Sequence, residues 1–213
     1  MIEHFHIKDF SNGNPENLVF ILHGYGADGE NLLDLASIFA SSLPSSVFIC
    51  PDAPFPYEFM PQMGRQWFSL ADRDELKLLH GAEIARKILV NFIDENLKKY
   101  NLSYKNLVLI GFSQGCMMSI YTALKLPQAC KGVLGFSGTM VSHQETIATV
   151  KSKPKICMVH GIDDEVVPCS LGKFTAKTLK NLEINCTFHE LSNLSHSIDE
   201  RGIEIGKQFL KSL

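Results

Sequence analysis

The stretch Leu107-Val-Leu-Ile-Gly-Phe-Ser-Gln-Gly-Cys-Met-Met-Ser-Ile-Tyr-Thr-Ala-Leu-Lys-Leu-Pro127 decides the reading of this chain. It opens with four apolar residues, Leu107 to Ile110. A run that short and that continuous suits a strand buried on both faces of a parallel sheet. It closes with Met117, Ile120, Tyr121 and Leu124 at helical spacing, and Pro127 stops the helix. Between strand and helix stands Gly111-Phe-Ser113-Gln-Gly115. Gly-x-Ser-x-Gly at a strand-to-helix turn is a nucleophile elbow. The turn is sharp, and the glycines on either side relieve crowding where neighbouring backbone comes close. The serine hydroxyl then stands above the sheet at a helix N-terminus, which favours developing negative charge. Without its context the pattern is only a Gly-Ser turn capping a helix, and the flanking strand and helix are what give it weight.

The same alternation continues outward. Strand-like runs recur at Leu18–Leu22, Val47–Cys50, Gly132–Phe136, Ile156–Val159 and Ile184–Phe188, and Phe5 to Phe10 can add an edge strand. Ile84, Ala85, Ile88, Leu89, Phe92 and Ile93 form one apolar helical face. Ser197-Ile-Asp-Glu200 is a capping-box pattern at the start of a last helix. Strand and helix alternating along the whole chain predict a three-layer α/β fold with a mostly parallel central sheet. Ligands then sit beyond the carboxyl ends of the strands.

Bulk properties narrow the function. The chain has 213 residues, enough for one domain over 1–213 with a sizeable core. Its net charge of −3 argues against a nucleic-acid binder, because phosphate contacts need a basic face. No apolar run approaches the ~18 residues of a membrane helix, and the N-terminus lacks a signal pattern. A cytoplasmic protein is expected. The six cysteines are scattered with no Cys-x-x-Cys pair, and they read as reduced thiols packed in the core.

The loops after the other strands supply partners for Ser113. His23-Gly-Tyr-Gly26 follows the first long strand. A Gly-rich loop there offers backbone N–H groups to an oxyanion. Tyr25 N–H and Gln114 N–H are the expected donors, and His23 reads as a structural hydrogen bonder. His160-Gly-Ile-Asp163-Asp164 follows another strand. Adjacent carboxylates cannot both face one imidazole, and Asp164 fits the His-Gly-x-x-Asp pattern. His196 stands on the loop after the last strand, whereas His189 falls within that strand. The order Ser113, Asp164, His196 is that of α/β-hydrolases.

With these motifs assembled, the chain resembles the phospholipase/carboxylesterase family of small α/β-hydrolases, which includes acyl-protein thioesterases. The resemblance spans nearly the whole chain. It rests on Leu22-His-Gly-Tyr-Gly-Ala-Asp28, Gln66-Trp-Phe68, Gly111 to Gly115, His160 to Asp164 with Val166-Val-Pro168, and Ser195-His196. It implies a Ser113–His196–Asp164 triad, an oxyanion hole at Tyr25 and Gln114, no large cap domain and no metal or cofactor. It implies a serine carboxylesterase acting on acyl esters through an acyl-enzyme, with acyl-protein thioesterase or lysophospholipase activity as the alternative. A non-catalytic binding module on a hydrolase fold is the remote alternative. A homodimer is compatible with the family. The Pro-rich loop from Pro51 to Phe68 looks like that of the bacterial carboxylesterase branch. Its aromatic and apolar residues suggest an acyl surface at Trp67, Phe68, Phe59 and Met63, or a cover for the sheet. Gln66 or Arg65 is a candidate for orienting the ester.

Overall fold

The computed structural model describes residues 1–72 and 74–213. Nine strands and six α-helices follow one another as β1 (Phe5–Asp9), β2 (Asn17–Leu22), α1 (Leu33–Ala40), β3 (Ser46–Pro51), β4 (Phe55–Pro56), β5 (Arg65–Gln66), α2 (Glu75–Lys99), β6 (Leu107–Phe112), α3 (Gln114–Lys125), β7 (Gly132–Phe136), α4 (His143–Ala148), β8 (Ile156–Gly161), α5 (Cys169–Asn181), β9 (Cys186–Leu191) and α6 (Glu200–Lys211). Seven strands make one sheet in the order β1-β3-β2-β6-β7-β8-β9. Within this sheet only β1 runs antiparallel to its neighbour, and the other neighbouring strands pair in parallel. This is an α/β-hydrolase fold, and no separate cap domain interrupts it among the described residues. Between β7 and β8 there is room only for the six-residue helix α4.

Burial explains why the central strands are apolar throughout. On β2, Leu18, Phe20 and Leu22 join a core with α2, α3 and α5, while Val19 and Ile21 face a second core with α1 and α6. On β6, Leu107 and Leu109 alternate in the same way with Val108 and Ile110. A strand covered on both faces has no polar side to give up.

Three details differ from the sequence reading. Strand β9 starts at Cys186, not Ile184, because Ile184 N–H donates to Leu179 O at 3.0 Å and closes the turn after α5. The capping box at Ser197 does not form. Ser197 N–H turns back onto Ser195 O at 2.9 Å, and Asp199 caps α6 instead, accepting from Gly202 N–H at 2.9 Å. The Pro-rich loop contains a short antiparallel pair, β4 with β5, which its prolines and two-residue strands conceal from pattern reading.

Candidate active site

Ser113 is the hinge between β6 and α3. Its backbone has φ 55° and ψ −118°, a conformation that non-glycine residues rarely adopt. Its N–H donates to Phe136 O at 2.9 Å, which ties the turn to β7. The flanking glycines are sterically required. A Cβ on Gly111 would lie 2.3 Å from the carbonyl of Gly115, and one on Gly115 would lie 1.9 Å from Leu22 O. Such strain is held by the surrounding packing and leaves the side chain aimed out of the turn. Cys116 lies fully buried beneath the elbow, and a Cβ on Gly138 would meet its side chain at 2.5 Å. Burial pushes its thiol up to about 12, so it holds no thiolate at neutral pH.

Asp164 and His196 meet across the loops that follow β8 and β9. His196 Nδ1 is 2.7 Å from Asp164 Oδ2. Asp164 Oδ1 accepts the N–H groups of Val166 at 2.9 Å and Val167 at 2.8 Å. Burial works to raise the Asp164 carboxyl, but the His196 bond and the two backbone N–H groups outweigh it and hold it below the usual carboxylate value. Asp163 is exposed to solvent, whereas Asp164 is buried. His196 packs against Phe112 with the rings tilted by 46° and their centres 4.8 Å apart. His160, fully buried, places Nε2 at 2.8 Å from Val167 O and 3.2 Å from Asp164 Oδ2. The sequence reading took His160 only as part of the pattern that marks Asp164. Its position four residues earlier, at the end of β8, is the signal that it also faces that carboxylate.

Ser113 and His196 line one cavity of about 720 Å³, together with Tyr25, Gln114, Met117 and Val166. A neighbouring cavity of about 390 Å³ shares the walls Leu70, Leu78, Met117 and Thr139 with it and continues to Phe68, Met140 and Val141. Two backbone N–H groups at the cavity differ from their neighbour on the Gly-rich loop. Gly26 N–H is taken by Arg65 O at 2.8 Å, whereas no acceptor among the described residues takes the N–H of Tyr25 or Gln114. The Gln114 side chain is itself tethered, accepting from Trp67 N–H at 2.9 Å and donating to Phe68 O at 2.8 Å. His23 is buried; burial lowers its basicity. It donates through Nδ1 to Gly24 O at 2.7 Å and accepts Ala53 N–H on Nε2 at 2.9 Å, so both ring nitrogens are spent on the loop.

Of the four residues expected at an acyl surface, three line neither cavity. Trp67 is fully enclosed, with its indole N–H on His23 O at 3.0 Å, and does not line the cavity that holds Ser113. Phe59 and Met63 project into solvent. The β4–β5 pairing folds the loop onto its own backbone and turns those two side chains outward. Phe68 alone reaches the groove, in its second part. Arg65 and Gln66 are engaged in the loop: Arg65 donates to Ala53 O and Pro54 O, and Gln66 Oε1 accepts Glu58 N–H. No cluster of three or more metal-ligating side chains is found among the described residues.

A serine on a strained strand-to-helix turn, lining one cavity with an imidazole that is backed by a buried carboxylate, places the molecule among the α/β-hydrolases. The comparisons narrow this further. The family model described as Phospholipase/Carboxylesterase matches residues 5–213. The chain belongs to the phospholipase/carboxylesterase family. The crystal structure of esterase PE8 is 33% identical, with 97% of each chain covered and a TM-score of 0.91. The Zea mays acyl-protein thioesterase 2 shares the fold at 20% identity, TM-score 0.78 and 98% coverage of each chain. The Bacillus cereus carboxylesterase does so at 20% identity and TM-score 0.77, covering 98% of this chain and 93% of its own.

Proposed function

We propose that the protein is a serine carboxylesterase. The observation that carries this reading is the 2.7 Å contact of His196 Nδ1 with Asp164 Oδ2, on an imidazole that lines the same cavity as Ser113. His196 takes the Ser113 proton on Nε2 as Oγ attacks the acyl carbonyl. Asp164 holds the ring in the tautomer that leaves Nε2 free and stabilises the imidazolium that forms. The N–H groups of Tyr25 and Gln114 receive the negative oxygen, each contributing about 3 kcal/mol to the transition state. His196 then returns the proton to the leaving alcohol or thiol. Water, deprotonated by the same imidazole, attacks the acyl-Ser113 ester and releases the acid. Substrate, alcohol, acid and water balance without a cofactor.

The groove formed by the two cavities supports an acyl chain longer than acetyl. That observation keeps acyl-protein thioesterase or lysophospholipase activity as the second reading. The reading also takes residues 1–213 as one catalytic domain acting in the cytoplasm; among the described residues no helix is long and apolar enough to cross a membrane.

The test is kcat/KM across p-nitrophenyl esters from acetyl to palmitoyl, with Ser113→Ala as control. A fluorophosphonate adduct on Ser113, absent in Ser113→Ala, supports the serine mechanism. Full activity in Ser113→Ala overturns it.

A further inference from the structure

One carboxylate in the Pro-rich loop collects donors from two segments, Tyr25 and residues 69–71. Glu58 Oε1 accepts the Tyr25 hydroxyl, the Leu70 N–H at 3.0 Å and the Ala71 N–H at 3.1 Å. Its Oε2 accepts the Ser69 hydroxyl. Its own N–H donates to Gln66 Oε1 at 2.8 Å, which anchors the residue to β5. The Tyr25 ring packs edge-on against Tyr57, with centres 4.9 Å apart. Tyr25 and Leu70 both line the cavity that holds Ser113.

Tyr25 stands in a loop of special geometry. Gly26 follows it at φ 80°, and Gly24 precedes it. Glycine-flanked backbone is soft, and an N–H that must stay aimed at one point in space needs a restraint. The Gly26–Arg65 bond holds the loop by its backbone. The Glu58 carboxylate holds it by the Tyr25 side chain, 33 residues away in sequence. An ionised acceptor makes stronger bonds than a neutral one, and four donors on one carboxylate restrict its rotamer.

We infer that Glu58 is a positioning residue that clamps the Tyr25 loop and the Leu70 wall in one register, so that the oxyanion donor and the start of the acyl groove move together. The inference rests on the proposed role of Tyr25 N–H. Glu58 does not touch the reacting atoms. It sets where one N–H points and where one wall stands. Tyr25→Phe cuts only the first connection, since it keeps the backbone N–H and the ring. Glu58→Ala cuts both.

The experiment measures kcat and KM separately for butyryl and dodecanoyl p-nitrophenyl esters in wild type, Tyr25→Phe, Glu58→Ala and the double variant. Tyr25→Phe is expected to lower kcat about 10-fold for both esters with KM unchanged, because a misaimed donor is lost in the transition state and not in the ground state. Glu58→Ala is expected to lower kcat by at least as much and also to raise KM for the dodecanoyl ester more than for the butyryl one. The double variant should lose no more kcat than Glu58→Ala, since both changes break the same connection. Affinity for a trifluoromethyl ketone, whose hemiketal oxygen sits where the oxyanion forms, should fall in parallel with kcat.

A folded Tyr25→Phe protein with wild-type kcat and ketone affinity overturns the inference. So do losses in the two single variants that simply multiply in the double. A purely structural clamp would lower the melting temperature while leaving the kcat of the folded fraction intact, and that result also overturns it. Ser113→Ala run alongside separates the two levels. Residual full activity there removes the serine mechanism itself, whereas an inactive Ser113→Ala with unaffected Glu58 variants removes only the clamp.

Discussion

His196 Nδ1 meets Asp164 Oδ2 at 2.7 Å, while the other oxygen of that carboxylate accepts two backbone N–H groups of its own loop. The carboxylate is thus held on one side by residues 166 and 167 and meets the His196 imidazole with the other, which also lies 3.2 Å from His160 Nε2. An acid that stays ionised and immobile fixes the ring's tautomer. Replacing it by an amide keeps the shape and loses that control.

Asp164→Asn is expected to lower kcat by about 10³- to 10⁴-fold on any ester, with KM little changed. Stopped-flow or steady-state assay checks this, with circular dichroism to show that the variant is folded.

The second prediction concerns acid stability. Glu83 is held down to about 2, first by its hydrogen bonds to Arg86, against the opposing effect of burial, then by the charges and hydroxyl of Arg86, Tyr121 and Lys125. Its folded value lies below its unfolded one. It therefore stabilises the protein above about pH 4.5, and that stabilisation is lost as pH falls toward 2. The group is partly exposed, so solvent screening limits its worth to about 1 kcal/mol. Glu83→Gln should melt below wild type at pH 7, and the gap should close between pH 4.5 and 2. A gap that widens on acidification contradicts the assignment.

Gly115→Ala is expected to cost ~3 kcal/mol or more, because the new methyl would meet the backbone carbonyl of Leu22 at 1.9 Å and neither strand nor helix can yield. Gly13→Ala is the contrast. It has φ 85° but open space around it, and should cost only about 1 kcal/mol of backbone strain. Urea unfolding of the two variants checks the difference.

Leu78 stands where the two cavities join. Leu78→Trp should shorten the groove and raise KM for dodecanoyl esters about 10-fold, the loss of roughly two buried methylenes, with little effect on acetyl esters. Equal effects on both would place the acyl chain elsewhere.

Much of the fold was legible in the sequence because it is written locally. The runs at Leu18, Val47, Leu107, Gly132 and Ile156 are apolar on both faces, and that happens where helices cover both sides of a sheet. Helix α2 was seen only through Ile84 to Ile93. Its full span to Glu75 depends on an N-cap by Asp74, whose side chain accepts Lys77 N–H at 3.0 Å. The shift of β9 depends on how α5 ends. The place of Trp67 depends on packing in the same way. Trp67 is aromatic in sequence, but its hydrogen bond to His23 O buries it under the loop.

The residues along the chain therefore encode the short-range geometries. Gly111-x-Ser113-x-Gly115 between a strand and a helix dictates the elbow, since only glycine tolerates backbone at 2 Å from a Cβ position. The loops after strands name Asp164 and His196, because a parallel sheet brings those loops to one edge. What surrounds them is set by long-range packing. The groove takes its walls from Leu70, Leu78, Met117, Thr139 and Val166, and the Tyr25 loop is held by Glu58. Those residues are near one another only after the chain has packed, and no spacing along it encodes which side chains will close around the same space.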